Sequence, residues 1–191
     1  GANLSKYLVA ESKKEGKILV FLKPCDTYSF NQLIKEHRIN ENNVYAVAVE
    51  CQGGLICSLV AAEKEDEIER MIMYYPALCI PDDSRCGCVI GTKIDPNNVP
   101  DSFHGVFVKL GKKYVEDART LDPYEQICTF KKPVLIIHGI EDKLVKIEYS
   151  RKANERYENC ELIEVHGDHG FILKGFKAGK KATEKYLSDL N

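Results

Sequence analysis

Three residues that lie far apart in the sequence carry the side chains of a nucleophile, an acid and a base. The first, Cys51, follows the apolar run Val44–Val49 and precedes Gln52, two glycines and a helix-like stretch. A strand, a tight turn and a helix place such a residue on an exposed corner, where the helix N-terminus offers N–H groups to an oxyanion and its dipole favours a thiolate. Cys51 is therefore the candidate nucleophile. The alternative is a cysteine that only packs.

The acid and the base each follow a predicted strand. Asp142 comes after Val134–Ile137, in His-Gly-Ile-Glu-Asp, and His169 comes after Glu161–Val165, in His-Gly-Asp-His-Gly-Phe. Because the carboxyl ends of parallel strands lie at one edge of a sheet, we expect nucleophile, acid and histidine to meet there, in that chain order. A histidine oriented by a carboxylate can take the proton from a thiol. Two alternatives stay open: Asp142 as a solvated loop acid, and His166 as the base.

These residues are positioned by strand-like and helix-like segments that alternate along the chain. The strand-like segments are short and rich in β-branched or aromatic residues: Lys17–Leu22, Val44–Val49, Met71–Tyr75, Val134–Ile137 and Glu161–Val165. The helix-like segments are Leu4–Glu15, Phe30–Arg38, Gly53–Glu63, Glu148–Tyr157 and Lys174–Leu190. This alternation predicts an α/β fold, a three-layer sandwich with a mainly parallel sheet of about five strands and helices on both faces.

One region, Ile80–Phe130, interrupts the alternation. It contains several prolines and glycines, and its main helical pattern is near Phe103–Glu116. Ligands of open α/β sheets bind beyond the carboxyl ends of the strands, so an insertion after the third strand is placed to form a cap or lid over the site. The alternative is an insertion that packs against the domain and has only a structural role. We predict a single α/β domain over residues 1–191, with 80–130 as this insertion.

Composition limits the partners and the compartment. With 27 basic and 29 acidic residues and a formal net charge of -2, the chain lacks the excess of positive charge that is typical of proteins that bind nucleic acid or an anionic membrane. It shows no apolar run that spans a bilayer and no signal-peptide pattern at its start. Its eight cysteines are expected to be reduced, because disulfide frameworks belong mostly to shorter chains, and their spacing predicts no metal site. We expect a cytoplasmic protein with a small-molecule partner.

Six motifs, taken in chain order, are similar to those of a known family: CQGGLICSLVAAE, YYPALCIPDD, KIDPNNVPD, LGKKYVEDARTLDPYEQI, PVLIIHGIEDKLV and GDHGF. From about Asn43 onward, the chain resembles the bacterial acyl and cinnamoyl (feruloyl) esterases of the α/β-hydrolase superfamily. The resemblance implies a carboxylic-ester hydrolase that needs no cofactor and acts on a small-molecule ester. It also implies that Cys51 is the nucleophile, Asp142 the acid and His169 the base, with the N–H of Gln52 as one oxyanion donor.

The chain departs from that family around the nucleophile. Cys51 stands where the family has serine, although the related dienelactone hydrolases use cysteine. Val49 stands where the elbow usually has glycine, and Glu50 where it has histidine. The Cβ of Val49 falls where strand and helix should approach closely. The alternative function is therefore a non-catalytic or engineered α/β-hydrolase-fold protein with a degenerate elbow.

The N-terminal part is the second departure, because the first strands of the family pattern are not recognised here and this part is predicted to be shortened. Because Lys17–Leu22 is nearly continuous in apolarity, we expect it to be buried on both faces. The esterase pattern has a strand beside Val44–Val49, and the resemblance implies that Lys17–Leu22 is this parallel neighbour. The loop after it would then lie beside Cys51. The N–H of Cys25 or Asp26 would supply a makeshift second oxyanion donor, without which the oxyanion hole is incomplete.

Overall fold

A computed structural model describes residues 8–13, 18–22, 32–33, 35–39, 44–48, 53–105, 109–171 and 175–188 of the chain. The strands are β1 Ile18–Leu22, β2 Val44–Ala48, β3 Arg70–Tyr74, β4 Cys88–Val89, β5 Thr92–Lys93, β6 Ser102–His104, β7 Lys109–Gly111, β8 Val134–Gly139 and β9 Cys160–Val165. The helices are α1 Leu8–Glu11, α2 Gly53–Glu63, α3 Ile80–Cys86, α4 Lys112–Ala118, α5 Pro123–Ile127, α6 Ile147–Arg156 and α7 Phe176–Ser188. The predicted helices Leu4–Glu15 and Phe30–Arg38 are described only in part.

Within the described residues, the central sheet has five strands in the order β2-β1-β3-β8-β9. Every neighbouring pair is parallel, so the α/β class with a parallel sheet is confirmed. Residues Ile18 to Leu22 of β1 lie opposite Val44 to Ala48 of β2, which confirms that these two segments are parallel neighbours. β1 also pairs with β3 on its other side, so β1 is an interior strand of the sheet.

The sheet is covered on both faces because alternate residues of its strands point to opposite sides. One set belongs to the cluster that packs against α2, α5 and α6: Met71, Met73, Val134 and Ile136. The other set packs against α7: Ile72, Tyr74, Leu135 and Ile137. All residues of β8 are buried. The helices therefore form a layer on each side of the sheet.

No helix in the described part of the chain has the length and apolarity to cross a membrane.

Helix α2 approaches β3 closely because its inner face carries small residues. Ser58 is fully buried, and its hydroxyl donates to the carbonyl of Gly54 at 2.6 Å and lies 3.3 Å from the sulfur of Met73 in β3. A Cβ added to Gly54 would lie 2.5 Å from the Cα of Pro76, just beyond the end of β3. The first turn of α2 therefore touches the segment that follows β3.

Substitution of Gly54 by alanine tests this contact. The new methyl group would overlap the backbone of Pro76, which cannot move aside as the end of a flexible side chain can. We expect the overlap to lower the free energy of unfolding by about 1–3 kcal/mol, more than the ~1 kcal/mol that alanine gains over glycine in helix propensity. The urea midpoint measures the loss.

A matched control for Gly54→Ala is Gly111→Ala, at the start of α4. There the nearest atom to an added Cβ is the carbonyl oxygen of Asp101, at 3.8 Å, which is ordinary contact. This variant should lower the free energy of unfolding by less than about 1 kcal/mol, the small preference for glycine over alanine at a helix N-cap. Equal decreases in the free energy of unfolding of the two variants would contradict the close packing of α2 on Pro76.

The insertion 80–130 contains α3, two short antiparallel hairpins formed by β4–β5 and β6–β7, and the helices α4 and α5. It has a small apolar cluster of its own, made by Val89, Val99, Phe103 and Val115. The helix predicted near 103–116 is partly wrong, because 102–104 and 109–111 form the second hairpin and α4 begins only at Lys112. The exposed-buried-exposed pattern of β6 has a period of two residues, but it is too short to be recognised in the sequence.

Candidate active site

The loops after β8 and β9 bring Asp142 and His169 together. The Nδ1 atom of His169 lies 2.7 Å from Oδ2 of Asp142. The side chain of Asp142 is fully buried, whereas 18% of the His169 side chain is exposed. The two residues meet because β8 and β9 are parallel neighbours that end at the same edge of the sheet. The structure thus pairs the two side chains that the sequence indicates as acid and base.

This hydrogen bond determines which nitrogen of His169 carries a proton. An ionised carboxylate only accepts hydrogen bonds, so Nδ1 is the protonated, donating nitrogen. In the neutral ring, the lone pair that accepts a proton is then on Nε2. An imidazole held in this tautomer by a buried carboxylate can act as a general base through Nε2.

Backbone groups hold the carboxylate of Asp142 in place. Its Oδ1 accepts hydrogen bonds from the N–H groups of Leu144 and Val145, each at 2.9 Å. Burial by itself raises the pKa of Asp142, but hydrogen bonds from His138, His169 and the N–H of Val145 outweigh it, so that the pKa lies well below its usual range. Asp142 is therefore ionised at neutral pH, as a residue that orients a histidine must be.

A second histidine supports the acid, and the sequence reasoning missed it. The predicted strand ends at Ile137, but β8 continues past it and buries His138 completely. The Nε2 of His138 lies 2.9 Å from the carbonyl oxygen of Val145 and 3.4 Å from Oδ2 of Asp142. Because a carbonyl only accepts, Nε2 carries the proton, and Nδ1 accepts from the hydroxyl of Ser150 at 2.6 Å. His138 thereby braces the loop that carries Asp142.

Glu141 joins the acid loop to the histidine loop. Its N–H donates to the carbonyl of Gly167 at 3.0 Å, and its carboxylate accepts from the N–H of Gly167 at 2.6 Å. The same carboxylate lies 3.1 Å from Nδ1 of His166, and this hydrogen bond lowers the pKa of Glu141. His166, the alternative base, therefore contacts Glu141, while His169 contacts Asp142.

The carboxyl end of β3 lies against the same histidine. The ring centroid of Tyr75 is 4.8 Å from that of His169, with an angle of 56° between the ring planes. The next residue, Pro76, contacts Gly54 in the first turn of α2. The Tyr75–Pro76 segment therefore connects His169 to the start of the helix that follows Cys51 in the sequence.

The remaining predicted site residues stay predictions. Cys51, Gln52, Cys25 and Asp26 lie outside the described residues. Within the described ranges, no group of three or more His, Cys, Asp or Glu side chains is arranged to hold a metal ion. The described part of the site consists of a buried carboxylate, an imidazole oriented by it and an aromatic ring packed against the imidazole.

Comparison with known proteins relates this arrangement to solved structures. No protein-family model matches the sequence, and no curated protein matches it. Est1E from Butyrivibrio proteoclasticus, solved with ferulic acid bound, is 30% identical over 84% of this chain and 66% of that chain, with a TM-score of 0.70. A monoacylglycerol lipase from Paleococcus ferrophilus is 16% identical over 92% of this chain and 97% of that one, with a TM-score of 0.57.

An alpha/beta hydrolase enzyme from the metagenome of sediments of the Mar Chica lagoon in Morocco is 12% identical, with a TM-score of 0.57, over 93% of each chain. The chain thus has the fold of the α/β-hydrolases, and the solved proteins it is similar to include esterases and lipases. It spans 66% of the length of Est1E.

Proposed function

We propose that the chain is a carboxylic-ester hydrolase in which Cys51, His169 and Asp142 form the catalytic triad. The observation that carries this proposal is the hydrogen bond from Nδ1 of His169 to the buried Asp142 carboxylate, 2.7 Å long. It turns Nε2 into the basic nitrogen of the ring, which is what a nucleophile of the hydroxyl or thiol type requires. The chemistry needs no cofactor, and the partner is a small-molecule ester.

The reaction has two halves. In the first, Nε2 of His169 takes the proton of the Cys51 thiol, and the sulfur attacks the ester carbonyl to form a tetrahedral oxyanion. This intermediate collapses, the bond from carbon to the alcohol oxygen breaks, and His169 returns the proton to the departing alcohol. In the second half, His169 takes a proton from water and the hydroxide attacks the thioester. The C–S bond then breaks, and His169 gives its proton to the departing sulfur, which releases the carboxylic acid and restores the thiol.

Packing at the start of α2 supports the inclusion of Cys51. Gly54 contacts Pro76, and Tyr75 packs on His169. Cys51 is three residues before Gly54, so the covalent chain keeps their Cα atoms within about 11 Å of each other. Gly53–Glu63, the helix that follows the candidate nucleophile in the sequence, therefore begins next to the residue that packs on the candidate base.

The proposal extends to the oxyanion hole and to the insertion. The N–H of Gln52 is the first proposed donor, and the N–H of Cys25 or Asp26 the second. The insertion 80–130 is proposed as a lid. In support, the first turn of α2 and the insertion line an open, mainly apolar cavity of about 190 Å³, formed by Leu55, Ile56, Ile80, Tyr114, Asp117, Ala118 and Leu121. Such a cavity suits an apolar part of a substrate.

Ferulic acid bound to Est1E suggests which substrates to test first. We propose esters of aryl-propenoic acids, compared with short aliphatic esters of the same alcohol. We further propose that 1–191 forms one domain that works in the cytoplasm.

The alternative, a non-catalytic protein with an α/β-hydrolase fold, is favoured by the strand order. β2, which precedes Cys51, is at one edge of the described sheet, and β9, which precedes His169, is at the other. The four steps between them correspond to about 19 Å at the usual spacing of neighbouring strands. A triad in this chain requires that the segment after β2 brings Cys51 back toward β3. If that segment leaves Cys51 near β2, the protein has the fold but not the activity.

Alkylation by iodoacetamide with peptide mapping separates the two functions. A thiol paired with His169 should be alkylated at neutral pH at least about tenfold faster than an ordinary exposed thiol, because the thiolate is the reacting form. Cys86 and Cys88 are exposed and free and give the rate of ordinary thiols. Burial raises the pKa of Cys57 and of Cys160 to about 12, so these two thiols should be the slow references.

The same experiment on the His169→Asn variant completes the test. If His169 activates Cys51, this substitution should slow alkylation of Cys51 to the rate of Cys86 and leave the other cysteines unchanged. Hydrolysis of p-nitrophenyl acetate and of methyl ferulate, followed in parallel, should be lost in the variant. A Cys51 that reacts no faster than Cys86 in the unmodified chain would support the non-catalytic alternative.

A further inference from the structure

Tyr75 has an unusual backbone at the position where it meets His169. Its φ is +38°, in the left-handed region that residues other than glycine, asparagine and aspartate seldom adopt. It also precedes Pro76, which restricts its backbone further. Such conformations are unfavourable and persist where the surroundings enforce them. The N–H of Tyr75 still donates to the carbonyl of Ile137 at 2.9 Å, so the strain is held at the end of the β3–β8 pairing.

The left-handed turn coincides with the placement of the Tyr75 ring. Only 7% of the residue is exposed, and the residue belongs to the apolar cluster of Leu135, Ile137 and Val165 at the end of the sheet. The ring lies 4.8 Å from the ring of His169, tilted by 56°. Aromatic rings attract each other at such distances and tilts. The ring of Tyr75 therefore lies between the fixed end of the sheet and the imidazole.

The hydrogen bond to Asp142 does not by itself orient the imidazole. It fixes the position of Nδ1, but the ring can still turn about the line that joins Nδ1 to Oδ2, and this rotation moves Nε2. A second contact with the ring limits that rotation. Tyr75 provides such a contact from the residue after β3, whereas Asp142 acts from the loop after β8.

We propose that Tyr75 is a positioning residue, whose ring fixes the direction of Nε2 of His169 after Asp142 has fixed Nδ1. The catalytic meaning of this role rests on the proposed function, since Nε2 is the atom that would move protons. The orientation itself can be observed without catalysis. An imidazole N–H in a strong hydrogen bond to a carboxylate gives a proton resonance far downfield in NMR spectra, and its width reports how well the ring is held.

The test uses three variants of Tyr75. Phenylalanine keeps the ring, leucine removes it but keeps apolar bulk, and asparagine removes it while tolerating the left-handed backbone. Asparagine keeps the test decisive if the leucine variant fails to fold. The downfield proton of His169 is assigned by its absence in His169→Asn, and Tyr157→Leu is the matched control, because Tyr157 is a buried tyrosine at the other end of β9.

We expect Tyr75→Phe and Tyr157→Leu to keep the His169 resonance sharp and at its original position. Tyr75→Leu and Tyr75→Asn should broaden it or shift it upfield. In the ester assay, the last two should lower kcat by about 10- to 100-fold with KM changed by less than about threefold, because misplacement by about an ångström at the reacting atoms costs about that much.

The outcomes separate this inference from the proposed function. If the unmodified chain hydrolyses no ester, the esterase proposal is overturned. The NMR resonance of His169 then shows by itself whether Tyr75 positions the imidazole. A resonance that is unchanged in every folded variant lacking the ring overturns the positioning role, whatever the activity. Equal broadening in Tyr157→Leu would also overturn it, because the effect would then come from general loss of packing.

Discussion

Replacement of Cys51 by alanine is expected to abolish ester hydrolysis and leave the fold intact. Without the sulfur no covalent intermediate can form, and His169 has no thiol proton to take. Loss of the nucleophile of a triad lowers kcat by at least about 1000-fold, since the remaining binding and oxyanion contacts support only slow attack by water. The measurement is kcat/KM for p-nitrophenyl acetate and methyl ferulate, together with the urea midpoint as a check on folding.

Two further variants make the Cys51→Ala result specific. Cys86→Ala removes an exposed, free thiol and should leave hydrolysis unchanged, which controls for loss of any thiol. Cys51→Ser replaces the sulfur by the serine oxygen that the similar esterases use. The variant should retain activity within about 100-fold of the unmodified chain, because the change alters the position of the reacting atom only slightly. Hydrolysis that survives in Cys51→Ala would place the nucleophile elsewhere and end the triad proposal.

The pairing of Asp142 with His169 could be predicted because it depends on features that a sequence shows directly. Both follow short, strongly apolar runs, and such runs are typical of buried parallel strands. Once the strands are parallel, their carboxyl ends fall on one edge, and the residues just beyond them are brought together. The predicted strand bounds differ from the observed ones by one or two residues, and a loop residue tolerates that error.

There is a physical reason why the sequence does not predict that His138 supports this pair. Its partners, Ser150 and Val145, are reached only when α6 has packed against β8, which depends on the tertiary fold. The sequence did offer a partial signal, since His138 continues the apolar run of β8 and a histidine inside a buried strand needs hydrogen-bond partners. The contact of Tyr75 with His169 is similarly hidden, because it depends on a left-handed backbone that no residue type here indicates.

The order of the strands shows another limit of the sequence. Apolarity predicts that β1 is a buried strand, the resemblance to the esterases implies that it lies next to β2, and the structure confirms that the two strands are neighbours. Apolarity does not say which side of β2 it occupies. The structure places β1 between β2 and β3, a choice that depends on how the connecting segments pack, and this choice sets the distance between the strand ends that carry the candidate triad.

Substitution of Asp142 by asparagine is expected to lower kcat by about 1000- to 10,000-fold with a smaller effect on KM. Asparagine fits the same space, and its carbonyl can still accept from the N–H groups of Leu144 and Val145. Its amide N–H₂, however, can face Nδ1 of His169 only if that nitrogen is unprotonated, which moves the proton to Nε2 and removes the base. Asp95→Asn is the matched control, since Asp95 is an exposed carboxylate that accepts from the N–H of Asn97 at 2.9 Å.

The same substitution should change how stability depends on pH. The pKa of Asp142 in the folded protein is well below its usual range, so the folded state favours the ionised form. The stabilisation is therefore complete above the ordinary carboxyl pKa of about 4 and declines as the pH falls toward the lower folded pKa. At pH 7 we expect Asp142→Asn to be less stable than the unmodified chain by about 1.5–3 kcal/mol, the usual contribution of a hydrogen bond to a charged group.

Urea midpoints at pH 7, 5, 4 and 3 give the pH dependence of this difference for Asp142→Asn and for Asp95→Asn. The gap between the unmodified chain and Asp142→Asn should narrow between about pH 4 and pH 3, because acid removes the charge that the substitution has already removed. Other carboxylates titrate equally in both proteins, so their contributions cancel in the difference. A gap that stays constant down to pH 3, or that Asp95→Asn reproduces, would show that the ionised Asp142 is not stabilised by its partners, and the orientation of His169 would then lack its physical basis.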